Sequence, residues 1–252
     1  MSDERELLKK RFVELARKSY NTGIFTFTDF LGLAEQSAFS EVEREIAGIP
    51  YTRFGGTDGT ERVMIRFGSP DELGYEVPFP IATVKATPVS QKFADKLSHR
   101  DLLGAILNLG IERRCVGDIA IISNTAYIFA REDIADFIAS NLTRARHTEL
   151  SVSVTDTLPE GSLYRTETKT VQTSGERLDA IIARAFSLSR EDAQSLFKKR
   201  LVFASGREIE STSYTPKQDE VVSVRGYGRF IYRGYSSLSR KGKLNIALDL
   251  YI

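Results

Sequence analysis

Arg190, Gln194 and Lys198 recur every four residues, so on a helix they share one flank. Lys199, Arg200 and Arg207 add positive charge just beyond. A short helix that presents Arg and Lys from one side suits phosphate contacts in a groove. On its own such a flank is ordinarily a solvated face. Here a second cluster follows, Arg225-Gly226-Tyr227-Gly228-Arg229-Phe230, and a third, Arg240-Lys241-Gly242-Lys243. Basic residues interleaved with aromatics suit RNA, where charge meets phosphate and rings stack on unpaired bases. Together with Arg177 these cations are expected to converge on one continuous face.

Charge along the chain supports a localised contact. The net charge is only +1, but residues 1–85 hold 11 Lys/Arg against 14 Asp/Glu, residues 86–173 hold 10 against 11, and residues 174–252 hold 14 against 9. The whole basic excess lies at the C-terminal end. Few residues invite other chemistry. One cysteine, Cys115, and two distant histidines, His99 and His147, do not make the usual zinc site or an intramolecular disulfide. No glycine-rich cofactor loop and no Ser or Cys triad is legible, so no catalytic residue, metal or cofactor is expected. Gly55-Gly56-Thr57-Asp58-Gly59 lacks a following Lys-Ser/Thr and reads as a plain turn. His99-Arg100-Asp101 reads as the first turn of a helix, with His99 and Arg100 as a possible second RNA contact rather than an acid–base group. No apolar run is long enough to cross a membrane, and the charged N-terminus does not resemble a secretory signal, so a cytoplasmic protein is expected.

The elements that would position these residues give an α+β chain in three segments. Residues 1–78 form an N-terminal α+β segment: a helix over Asp3–Tyr20 with Leu8, Phe12, Leu15 and Ala16 on one stripe, two short helices capped by Thr28 and Ser40, and a hairpin pairing Tyr51–Phe54 with Arg62–Phe67. Residues 79–156 read strand Ile81–Ala86, helix Ser98–Leu109, strands Val116–Ile122 and Thr125–Ala130, helix Asp133–Asn141 and strand Glu149–Val154. That βαββαβ order is the ferredoxin-like pattern, with four antiparallel strands and both helices on one face. Tyr127 and Phe129 share a face and are expected to be core, and no RNP1 pattern accompanies them. Residues 162–252 hold an extended entry, helices over Glu176–Phe186 and from Ser189 onward, strands Leu201–Ala204 and Val221–Arg225, and a closing hairpin in which Leu244, Ile246, Leu248, Leu250 and Ile252 alternate.

The third segment resembles the S4-like RNA-binding module of ribosomal and RNA-modifying proteins. The resemblance rests on Arg177-Leu178-Asp179, Ser189-Arg190, Ala193, Leu196-Phe197, Val202, and Asp219 before Val221-Val222-Ser223-Val224. Three turns depart from the family pattern. Arg200 stands where the family usually has Gly, Ser205-Gly206 where it has Asn-Gly, and Gln218-Asp219 where it has Gly-Asp. A left-handed position costs a non-glycine residue about 1–2 kcal/mol, so a turn of different shape is expected at Arg200. Ser98-His99-Arg100-Asp101-Leu102-Leu103-Gly104-Ala105, Leu109-Gly110-Ile111 and Gly117-Asp118-Ile119 resemble the central domain of YlmH-like proteins. Gly226-Tyr227-Gly228-Arg229-Phe230 and Ser239-Arg240-Lys241-Gly242-Lys243 are similar to that family's C-terminal pattern.

The resemblance implies a non-catalytic bacterial cytosolic factor, monomeric when free. It would bind structured ribosomal and transfer RNA on the large ribosomal subunit, in quality control of stalled nascent chains. Its RNA-binding residues would be Arg177, Ser189, Arg190, Gln194, Lys198, Lys199, Arg200, Arg207, Arg225, Arg229, Arg240, Lys241 and Lys243. Two alternatives stay open. Arg177-Leu178-Asp179 superficially resembles the catalytic Arg-Leu-Asp of pseudouridine synthases, although Ala180-Ile181-Ile182-Ala183 follows where those enzymes have Thr-Ser-Gly. A protein scaffold linked to cell division is the other.

Overall fold

A computed structural model describes residues 2–92, 94–159, 163–240 and 242–252. The chain divides into two compact units, Met1–Leu163 and Tyr164–Ile252. The first unit takes in both the N-terminal and the central segment expected from the sequence.

Helix α1, Ser2–Thr22, buries Phe12, Leu15 and Ala16. Strand β1, Thr26–Phe27, helix α2, Leu33–Val42, and strands β2, Tyr51–Phe54, and β3, Met64–Phe67, complete a small α+β layer with sheet order β1-β3-β2. Phe39 of α2 sits at its centre, edge-on to Phe12 and to Tyr51. The expected caps at Thr28 and Ser40 are not formed. Thr28 is buried; its hydroxyl donates to Asp29 O and accepts from Ile65 N, so it ties strands rather than opening a helix. Ser40 lies inside α2 and bonds back to Gln36 O, and the N-cap is Gly32. A short helix, α3, Pro70–Leu73, follows, capped by Ser69.

The second layer of this unit runs β4 (Ile81–Pro88), α4 (His99–Asn108), β5 (Val116–Ile122), β6 (Thr125–Arg131), α5 (Glu132–Asn141), β7 (Arg144–Ala145) and β8 (Thr148–Thr155). The sheet order is β5-β6-β4-β8-β7, all antiparallel. Its fifth strand, β7, forms a tight hairpin with β8 that the sequence pattern did not reveal. Leu102 and Ile106 of α4 and Ala135 and Ile138 of α5 bury against Val84, Ala86, Ile128 and Ala130, so both helices cover one face. Ser98 and Asp101 form a reciprocal capping box at the start of α4, which satisfies two N–H groups that the helix itself leaves unpaired.

Tyr127 and Phe129 point to the other face and are nevertheless buried. The N-terminal layer covers the Phe129 end. A Cβ built on Gly56, at φ +105°, would clash with the Phe129 ring, and one on Gly117 would meet the Phe30 ring and Phe129 Cβ. Arg62 bolts the two layers together. Its guanidinium donates to Val116 O at 3.0 Å, Phe30 O at 2.9 Å and Arg113 O at 3.2 Å, while the backbone N–H groups of Glu61 and Arg62 donate to Asp118.

The second unit has strand β9 (Thr166–Thr173), helices α6 (Leu178–Ala185) and α7 (Arg190–Lys198), and strands β10 (Val202–Ala204), β11 (Arg207–Glu208), β12 (Glu220–Val224), β13 (Gly228–Leu238) and β14 (Leu244–Tyr251). The sheet order is β11-β10-β12-β13-β14-β9. Val202, Val222, Phe230, Ile246 and Leu248 pack with Leu178, Ile181, Ile182, Leu196 and Phe197, so the helices cover one face of this sheet too. Tyr232 also points inward. Its hydroxyl hydrogen-bonds the Glu176 carboxylate, and burial and that neighbour push its pKa well up.

Candidate nucleic-acid interface

Two of the second unit's arginines are organised around one buried acid. Asp179, in the first turn of α6, is wholly inaccessible to solvent. Arg177 donates to its two oxygens at 3.2 and 3.1 Å, Arg190 at 3.2 to 3.3 Å, and the Gln194 side-chain amide at 2.9 Å. Burial pushes the Asp179 carboxyl up, but the bonds from Arg177 and Gln194 and the charge of Arg190 outweigh it and hold it below the ordinary value. The backbone closes the site. Leu178 N donates to Tyr214 O and Asp179 N to Thr212 O, so the loop before β12 satisfies the start of α6. Both arginine side chains remain about half-exposed, at 47% and 48%. The arrangement holds two guanidiniums in fixed orientation with their outer edges in water.

This revises two expectations. Gln194 donates an amide N–H to Asp179, so it serves first as part of this hub. Arg190 is turned inward at one edge, so at most its outer donors can reach a phosphate. Lys198 and Lys199 lie exposed at the end of α7. Ser189 caps α7 by accepting from Asp192 N at 3.0 Å. Ser189 and Arg190 also line a cavity of about 340 Å³ together with Lys243 and with Arg184, a residue that sequence reading passed over. Three cations from α6, α7 and the turn before β14 therefore meet there, and among the described residues no acidic side chain lines it.

Arg200 pairs with Glu208 at 3.2 Å and with Glu210 at 3.6 Å. Its backbone adopts φ +57°, so the turn takes the left-handed form despite the missing glycine, as do Ser205 at +48° and Asp219 at +64°. Arg207 and Arg240 are exposed, and Lys241 lies outside the described residues.

The expected single face is not formed. Strand alternation explains why: Phe230 and Tyr232 point toward the helices, so Arg229 points away. On that helix-free face its guanidinium lies 4.0 Å from the Tyr251 ring centroid and 4.9 Å from that of Tyr164. Arg225 lies 5.0 Å from the Phe203 ring, which likewise points away from the helices. The basic set thus splits between the helix side, with Arg177, Arg184, Arg190 and Lys243, and the open sheet face, with Arg225 and Arg229. Tyr251 could have been found from sequence, because the alternation that sends Leu250 inward sends Tyr251 outward.

In the first unit His99 and Arg100 are exposed at the start of α4. A larger recess, about 1090 Å³, lies elsewhere in that unit, but its arginines are engaged: Arg114 and Arg131 with Asp29, Arg131 also with Asp133, Arg11 with Glu14, and Arg62 and Arg113 with backbone carbonyls. Among the described residues no group of three or more His, Cys, Asp or Glu could hold a metal, and no helix is long and apolar enough to cross a membrane.

Residues 78–158 match a family model described as "Putative RNA-binding domain in YlmH". Ribosome-associated protein quality control protein P2 of Bacillus subtilis (strain 168) is 28% identical over 233 residues, covering 88% of this chain and 86% of the relative. The solved structure of cell division protein ylmH from Streptococcus pneumoniae is 20% identical, covering 62% of this chain and 93% of that one, with a TM-score of 0.48. The chain is similar to YlmH proteins, and residues 78–158 are the part that matches the model described as an RNA-binding domain in them.

Proposed function

We propose that the protein is a non-catalytic factor that docks on structured ribosomal and transfer RNA of the large ribosomal subunit and serves quality control of stalled nascent chains. In this reading it is a cytosolic protein, monomeric when free. It has an N-terminal α+β part, a ferredoxin-like central domain over 79–156 and an S4-like module over 162–252. The observation that carries the RNA reading is the Asp179 hub, which fixes Arg177 and Arg190 with their outer edges in solvent. Ordered guanidiniums lose less side-chain entropy on meeting a phosphate. The similarity to the Bacillus subtilis protein named for ribosome-associated quality control supports the setting. Asp179 also argues against the pseudouridine-synthase alternative, because a fully buried carboxylate with three side-chain donors cannot touch a nucleotide.

The test compares two charge reversals in the full chain against purified large ribosomal subunits and naked ribosomal RNA. Lys198→Glu with Lys199→Glu alters the proposed surface without touching the hub. Lys10→Glu with Lys18→Glu, on exposed positions of α1, changes net charge equally. Loss of RNA affinity in the first pair alone supports local docking. If about six cations neutralise phosphates, the log–log salt slope is about −4 to −5, and raising salt from about 50 to 200 mM weakens binding roughly 300- to 1,000-fold. Equal losses in both pairs, or a slope near zero, would remove the second unit as the docking surface. A modified nucleoside that depends on Asp179 would restore the enzyme reading.

A further inference from the structure

The geometry points to a second RNA-docking surface on the central domain, at the edge formed by the β7–β8 hairpin tip and the start of α4, and not across the centre of its sheet's helix-free face. This rests on the reading that the protein binds RNA.

A small antiparallel sheet ordinarily meets single-stranded RNA across its helix-free face, with exposed aromatics stacking on bases. Here that face is compromised. Phe129 is fully buried under the N-terminal layer, with Gly56 so close to its ring that no side chain fits between them. Tyr127 is buried as well. What stays exposed in the middle of that face is Lys85 with Ser151 and Ser153, a single cation without an accessible ring beside it, while Arg144 and Glu149 lie on the same face only at its β7 edge.

The hairpin end offers the opposite. Lys96, Arg100, Arg144 and Arg146 are all exposed there, with His147; His99 instead lies near Arg113, Asp118 and Arg62, where burial and then the Arg113 charge lower its pKa. Three contacts bring them together from distant parts of the chain. Helix α4 packs against β7, Asp95 N donates to Thr148 Oγ1 at 2.9 Å, and the Arg146 guanidinium lies 3.8 Å from Asp101. Two of the three nearby acids are turned away from solvent. One Asp95 oxygen is buried, and Asp101 is largely consumed by the α4 capping box. Only Glu149, opposite Arg144, faces outward. The exposed charge is therefore predominantly positive, which fits phosphate.

The hairpin tip adds an observation of conformation. Arg146 holds φ +53° in a two-residue turn, a position where glycine is the unstrained residue. An arginine kept at a strained tip trades local comfort for a cation at the outermost point of the hairpin.

The test uses the full chain, naked 23S ribosomal RNA and filter binding across salt. Arg144→Glu with Arg146→Glu should weaken binding tenfold or more. Arg144→Gln with Arg146→Gly removes both charges while relieving the turn, so it keeps the fold. It should lower the magnitude of the log–log salt slope by about 1.4 to 1.8. Lys85→Glu with Ser153→Glu, on the sheet face, should change binding less than twofold. The inference is overturned if the hairpin variants bind within twofold of the parent, or if the sheet-face variant loses more than they do. If Lys198→Glu with Lys199→Glu still loses affinity in that case, the RNA-binding reading stands and only the second surface falls. If none of the variants loses affinity, both fall.

Discussion

Arg190 reaches from the first turn of α7 to Asp179 in the first turn of α6, with guanidinium nitrogens 3.2 to 3.3 Å from both carboxylate oxygens. This contact joins the two helices at the point where the sequence carries its most suggestive basic residue. The arginine is at once a structural clamp and a half-exposed cation, so any substitution at Arg190 mixes folding with binding. Asp179 is buried, so its substitution tests the clamp itself, read through stability.

Asp179→Asn keeps the size of the side chain and removes its charge. At neutral pH it should destabilise the protein by about 2–3 kcal/mol. That is below the usual range for breaking a buried pair, because both guanidiniums are half-exposed and can rehydrate. The depressed carboxyl pKa of the parent fixes the sign with pH. Its contribution is complete above the ordinary aspartate value, about 3.9, and is lost as pH falls through the lower folded value. Denaturant titrations at neutral and acid pH should therefore show the gap between parent and variant closing in acid. A gap that stays constant into strong acid would mean that Asp179 is not the titrating group.

Arg200 occupies a left-handed position with a Cβ. Arg200→Ala keeps that strain and loses the exposed pairs with Glu208 and Glu210. Arg200→Gly loses the same pairs and removes the strain, offset in part by the greater freedom of glycine in the unfolded chain. The glycine variant should be more stable than the alanine variant by about 0.5–1 kcal/mol. Thermal melts of the two proteins side by side decide it, and equal melting temperatures would count against a strained turn.

Gly56 and Gly48 have similar backbone angles, φ +105° and +90°, but only Gly56 has a neighbour. Gly48→Ala should cost about 1–2 kcal/mol from conformation alone. Gly56→Ala adds a clash with Phe129 and should cost about 2–4 kcal/mol. Urea midpoints measure both. Equal losses would show that the N-terminal layer does not press on the central sheet.

Much of the local structure was legible in the chain. Alternation placed the strands at Ile81, Val116, Thr125 and Glu149 to within two residues, and Ser98-His99-Arg100-Asp101 announced a capping box that is present with both of its bonds. The concentration of positive charge after residue 173 also belongs to the sequence alone. These features depend on neighbours a few positions apart, where periodicity and capping chemistry act. Thr28 and Ser40 show the limit of such signals. Both have good capping chemistry, but tertiary packing put one between strands and the other inside a helix.

What only the folded chain decided is which of the charges work together. Gln194 and Lys198 look equivalent on a helical flank, yet Gln194 bonds a carboxylate fifteen residues earlier in the chain while Lys198 stays in water. Arg229 and Arg190 look like parts of one basic set, yet a strand's two-residue period sends Arg229 to the face opposite the helices, against Tyr251. Phe129 lies on the face a sheet would use for RNA, yet a glycine more than seventy residues earlier in the chain covers it. Each outcome turns on a contact between residues far apart in sequence, and propensity and spacing act only over the few residues within one element.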